Sequence, residues 1–168
     1  GLGDVYKRQK QSGNAVFHTL LLPEDVGQNF TVSTEQVKLN VPAEQASAFE
    51  IRQTENNSGM TGNYLYYLVH DTAKKTERKV ASYQTNARMM FAELGENKTL
   101  KSVILQDVNR LSGNNTLVKS ERQIPELSIE WGRSRVALNS SSLKEKDLKD
   151  LVISTQAVSY THLTLPTT

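Results

Sequence analysis

Apolar residues recur at every second position through most of this chain, and that period constrains its fold more than any other feature. Alternation with period two sends successive side chains to opposite faces of an extended strand. Val37, Leu39 and Val41 alternate with Lys38 and Asn40 before Pro42, and Phe49 and Ile51 alternate with Glu50 and Arg52. Tyr64 to Val69 is aromatic and β-preferring, as in a strand covered on both faces. The charged stretch Asp71 to Lys79 reads as an exposed connection leading to another strand through Val80 and Tyr83. Ala87 to Leu94 and Leu100 to Val108 follow, joined at Gly95-Glu96-Asn97-Lys98, and Ser112 to Asn115 is the next loop.

Leu127 to Leu138 reads as a hairpin. A two-residue turn at Gly132-Arg133 pairs Trp131 with Ser134, Glu130 with Arg135, Ile129 with Val136 and Leu127 with Leu138. One face is then apolar, and the other carries a Glu–Arg cross-strand pair. A one-residue slip would set Glu130 among the apolar side chains, so the pattern selects against it.

A single helix is predicted near the end. Ser142-Leu143-Lys144-Glu145 has capping-box spacing, and Leu148, Leu151 and Val152 then form one apolar stripe. Lys144–Asp147 and Lys146–Asp150 sit at helical ion-pair spacing. The expected class is mainly β: an antiparallel sandwich or barrel-like sheet with one C-terminal helix at about 142–154.

The two ends read differently from the middle. One permitted coding of Asp4-Val5-Tyr6-Lys7-Arg8-Gln9 is GAT GTG TAT AAG AGA CAG; its reverse complement, with one preceding G, encodes Ala157-Val158-Ser159-Tyr160-Thr161-His162. That inverted repeat resembles the end sequence used in transposon-based library preparation. Residues 1–9 and 157–168 are therefore expected to be translated sequencing adapter without structure, as in a metagenomic fragment. Residues 10–156 are expected to be a single β-rich domain or domain fragment, large enough for its own core.

Composition excludes several function classes. There are 20 basic and 18 acidic residues, so no long-range field favours nucleic acid or an anionic surface. Cysteine is absent, which removes disulfides, thiol nucleophiles and Cys-ligated metals from this stretch. No apolar run approaches the roughly 18 residues of a spanning helix.

Chemistry-bearing patterns are sparse. The sequence carries no glycine-rich phosphate loop, G-x-S-x-G elbow or H-E-x-x-H motif. His70 beside Asp71 suggests a general base, but strand neighbours point to opposite faces. His18 and His70 with Glu50 or Glu93 have no recognisable metal spacing. Glu24-Asp25 and Glu93/Glu96 fall at turns or strand ends, where acids are solvated. Lys74, Lys75, Arg78 and Lys79 beside Tyr83 resemble a basic-aromatic surface, but Asp71 and Glu77 dilute the charge. Asn-x-Ser/Thr triplets begin at Asn29, Asn56, Asn97, Asn114 and Asn139 and read as loop markers.

Three aromatics remain as candidate ligand contacts for a carbohydrate or a protein: Tyr64 and Tyr66, which share a strand face, and Trp131 at the hairpin turn. With no catalytic residue, metal or cofactor assigned, the sequence points to a non-catalytic β-sandwich structural or surface-interaction module. A bacterial envelope or adhesive component and a phage structural domain both fit, placing it outside the cytoplasm or on a particle. The alternatives are a carbohydrate-binding module and a piece of a hydrolase whose active residues lie elsewhere.

Overall fold

The computed structural model describes residues 18–21, 25–70, 76–132, 136–139, 143–155 and 158–160. They form an antiparallel, mainly β structure whose sheet does not close. The strands are β1 (Phe30–Gln36), β2 (Ala46–Glu55), β3 (Thr61–Val69), β4 (Arg78–Val80), β5 (Tyr83–Thr85), β6 (Met89–Leu94), β7 (Leu100–Gly113), β8 (Thr116–Trp131), β9 (Val136–Asn139), β10 (Val152–Thr155) and β11 (Val158–Tyr160). The principal path runs β1-β2-β3-β6-β7-β8-β10-β11, with β4 on β5, β5 on β7 and β9 on β8.

The long β7–β8 hairpin organises everything else. It turns at Asn114 and Asn115, both with positive φ (45° and 61°), the backbone that a two-residue type I′ turn demands and asparagine tolerates. Its register shifts between Val108 and Arg110, next to Asp107 at φ 54°, and such a bulge bends a strand. The two ends of the hairpin therefore hold different neighbours. β6 lies along the first half of β7, and β5 pairs with Leu111–Gly113. On β8, Leu117–Lys119 holds β10 and Ser128–Trp131 holds β9. Pro125 falls between those two segments, where its missing N–H removes no ladder bond to β9 or β10.

One core unites both halves. Leu65, Tyr67, Met90, Val103, Leu127 and Ile129 come from one end of the hairpin, and Val80, Tyr83, Leu111, Val118 and Ile153 from the other. Each is essentially inaccessible. Tyr83 also directs its hydroxyl to the carbonyl of Lys98 (2.6 Å), in the 3₁₀ turn Glu96–Lys98. Asn114 donates to the carbonyls of Asn97 (3.0 Å) and Lys98 (2.8 Å), so the β7–β8 turn is tied to the β6–β7 connection. Four of the five asparagine triplets begin in loops or turns; only Asn139 lies in a strand.

Several expectations are corrected. Val37, Leu39 and Val41 lie half-buried against the core but form no strand; the neighbouring strand is β1, where Phe30 and Val32 alternate with exposed residues only briefly and Ser33 to Gln36 are all exposed. The hairpin of β8 and β9 pairs Trp131 with Val136, Glu130 with Ala137 and Ile129 with Leu138, two residues away from the expected register. That shift preserves every facing, because the side-chain period is two, but it sets Ala137 opposite Glu130; Arg135, its expected partner, lies outside the described residues. Arg78 is buried rather than part of an exposed basic tip, and Lys74 and Lys75 lie outside the described residues.

The helix expected at 142–154 is the largest correction. Ser142 of its capping box lies outside the described residues; one helical turn, Glu145–Leu148, is formed, and Val152–Thr155 is strand β10. Val152, Ile153 and Thr155 are β-branched, and β8 offers an unpaired edge at Leu117–Lys119. Extended, the segment buries Leu151 (1 % exposed) and Ile153 (0 %) with period two. Burying Ile153 fully is worth about 1.5–3 kcal/mol, against about 1 kcal/mol for a helix cap. Val158–Tyr160, within the stretch expected to lack structure, pairs with β10 as β11.

Candidate functional site

The sheet formed by β1, β2, β3, β6 and the first half of β7 has its core on one side only. On the core side stand Ala48, Leu65, Tyr67, Met90, Ala92, Val103 and Leu105. Alternation sends the remaining residues outward, and across the middle of the sheet they are apolar where a solvated face would be polar, with Gln53, Glu93, Ser102 and Gln106 around them. Phe49 pairs with Tyr66, Tyr66 with Phe91 and Phe91 with Ile104, giving one apolar row straight across four strands. At the usual strand spacing that row is about 14 Å long. Ile51 and Tyr64 extend it on one side, Leu68 and Met89 on the other.

These side chains are half-buried, and Ile104 is 40 % exposed. The Tyr64 ring stacks beside Phe91, with centroids 5.6 Å apart and planes 16° from parallel. Partial burial raises the pKa of the Tyr66 phenol, so its hydroxyl is a neutral donor and acceptor at physiological pH. The segment containing His18 and Leu20 runs over one end of the row. Between it and the sheet lies a groove of about 530 Å³ bounded by Phe49, Ile51, Tyr66 and Phe91.

The three sequence-predicted contacts separate into a pair and a single residue. Tyr64 and Tyr66 share the outer face, as their spacing requires. Trp131 shares the parity of Ile129, packs against the core from the other side, and buries its indole N–H with no partner among the described residues. A three-ring platform is therefore not assembled.

Between strands β1 to β3 and the 3₁₀ turn at Glu96–Lys98 lies a polar cleft of about 710 Å³. It is bordered by Glu50, Arg52, Asn63, Asn97 and Lys98. Lys98 Nζ meets Glu50 at 3.0 Å. Glu50 is directly opposite Glu35 on β1, so this lysine offsets two neighbouring carboxylates.

The histidines behave differently from the expectation of two isolated strand-edge residues. His18 and His70, far apart in sequence, come together with ring centroids 5.5 Å apart, and His18 also contacts Phe49 edge-on at 4.9 Å. Ser47 Oγ lies 2.8 Å from His70 Nε2. Burial, then the neighbouring His18, lower the pKa of His70. Asp71 lies outside the described residues, as does Glu24. Glu50 faces the core side and Glu93 pairs with Tyr64, several residues along the sheet from His70, so neither joins the histidines. Glu93 is instead engaged by Lys101 at 3.3 Å.

Nothing in the sequence announces the row Phe49–Tyr66–Phe91–Ile104, because each member looks like a core residue until strand pairing is known. The described residues include no cluster of three or more potential metal ligands from His, Cys, Asp and Glu. No helix among them is long and apolar enough to cross a membrane. Comparisons with protein-family models, with curated proteins and with solved structures find no match to this chain.

Proposed function

We propose that this chain is a non-catalytic β-sandwich module that works by surface contact, as an extracytoplasmic envelope or adhesive component or a phage structural domain would. The sandwich reading rests on the bent β7–β8 hairpin and on the single core shared by its two halves. The surface-contact reading rests on one observation: the row Phe49–Tyr66–Phe91–Ile104 leaves apolar and aromatic area facing outward across four strands. Contiguous exposed apolar surface with aromatic anchors is the composition of a protein-binding patch centre. Flanking polar positions, Gln36 beside Phe49 and Ser128 beside Ile104, supply a rim.

Cross-linking with mass-spectrometric mapping tests this against envelope and particle fractions. Cross-links concentrated on β2, β3, β6 and β7, and lost in Ile104→Asp at unchanged stability, support it. Cross-links elsewhere, or unaffected by that substitution, refute it.

A second reading, carbohydrate binding, draws on the stacked Tyr64–Phe91 pair beside Tyr66, a flat apolar surface with phenol hydroxyls at hand. A glycan array separates the two. Binding that falls at least tenfold in both Tyr64→Ala and Tyr66→Ala selects carbohydrate, and no glycan binding removes it.

A further inference from the structure

We propose that His18 and His70 form a two-imidazole site for a late first-row divalent ion, Zn²⁺ or Cu²⁺, with Ser47 fixing the orientation of His70. Three observations carry it. The rings stand 5.5 Å apart between centroids. A metal held at 2.0–2.1 Å by a ring nitrogen lies about 3.2 Å from that ring's centroid, so two imidazoles at a tetrahedral angle have centroids about 5.2 Å apart. The observed centroid separation is therefore within a few tenths of an ångström of that expected for two imidazoles sharing one ion.

The second observation is the contact between Ser47 Oγ and His70 Nε2, at 2.8 Å. In the tautomer where Nε2–H donates to the hydroxyl, Nδ1 carries the free lone pair. Ligating histidines are oriented in this way, their second nitrogen committed to a neighbouring oxygen. Ser47 is 5 % exposed in strand β2, so the orienting group is rigid. The third is solvent access: His18 is exposed and His70 half-buried, so water can complete the coordination. Imidazole pairs without thiolate suit copper and zinc over calcium or magnesium.

The ion would join the segment carrying His18 and Leu20 to the end of β3. That segment walls the groove over Phe49 and Tyr66, so metal would hold the wall in place. The residues are not those of the apolar row, and the site stands whether or not the row binds a partner.

The test uses the full chain, stripped with chelator, titrated with ZnCl₂ and CuCl₂ by calorimetry. One ion per chain is expected, with affinity reduced about tenfold or more in His18→Ala and in His70→Ala, and about tenfold in Ser47→Ala. His162→Ala should bind as the parent does. His18 is exposed, so His18→Ala should keep the metal-free melting temperature and lose only the rise with Zn²⁺, roughly 5–10 °C at a hundredfold excess over Kd. Copper electron paramagnetic resonance should show two nitrogen couplings in the parent and one in either alanine variant. No saturable binding, binding unchanged in His18→Ala, or binding abolished in His162→Ala would overturn the proposal. Labelling of Ser47 by a fluorophosphonate, lost in His70→Ala, would also overturn it by making Ser47 a nucleophile.

Discussion

Replacing Gly113 with alanine should cost about 3 kcal/mol, because it introduces two penalties at the point where β5 meets β7. Gly113 has φ +128°, a region L side chains rarely adopt, and pairs with Tyr83 across the ladder. An added Cβ would sit 2.3 Å from the Ser82 carbonyl oxygen and 2.9 Å from Tyr83 Cα. Both are backbone atoms, so relief requires moving a strand and not merely a rotamer. The conformational penalty is about 1–2 kcal/mol, and forced overpacking adds about 1–3 kcal/mol. Gly59 is the control: its φ is +69° but nothing lies within 4 Å of the added atom, so Gly59→Ala carries only the first penalty. Urea unfolding of both variants gives the difference. A melting temperature lowered by about 6–12 °C is expected for Gly113→Ala. If Gly113→Ala proves no costlier than Gly59→Ala, β5 does not pack on β7 as described.

Three further outcomes are expected. Ile153→Ala should destabilise by about 2–4 kcal/mol while Val152→Ala costs under about 1 kcal/mol; the reverse order, read by chemical denaturation, would restore the helix over this segment. Tyr83→Phe should cost about 1 kcal/mol through loss of the buried hydroxyl's bond to the Lys98 carbonyl, and no measurable change in the unfolding midpoint would count against that tie. The pKa of His70 is lowered by burial and by His18, so folding disfavours its protonated form. Stability from this group is complete above the unfolded value near 6.5 and declines as pH falls from there toward the folded value. Melting temperatures across that window should fall with acid in the parent and fall less in His70→Asn; identical pH profiles would contradict the assignment.

The parts legible in the sequence were those decided by local alternation. Tyr64 to Val69 had to be a strand, and Tyr64 and Tyr66 had to share a face, because the strand period is two. The β8–β9 facing was legible for the same reason, but its register was not. A shift of two keeps Leu127, Ile129 and Trp131 on the side of Leu138, so side-chain pattern alone cannot count the residues in the connection. Leu148, Leu151 and Val152 satisfied helical spacing while Leu151 and Ile153 satisfied strand spacing; the free edge of β8 decided between them, and that edge exists only after folding. Trp131 shared the apolar hairpin face in the sequence too, but whether its place beside the turn left it open as a ligand contact was not legible; it packs against the core. The row Phe49–Tyr66–Phe91–Ile104 and the pairing of His18 with His70 are products of strand order, which no local pattern encodes.

The outer face is the central claim, and oxidative footprinting of the isolated protein tests it most directly. Hydroxyl radicals should modify Tyr64, Tyr66, Phe91 and Ile104, which face outward, and spare Tyr67 and Tyr83, which are inaccessible. Equal protection of Tyr66 and Tyr67 would contradict the account, since neighbours on one strand would then both be buried and no open apolar row would exist.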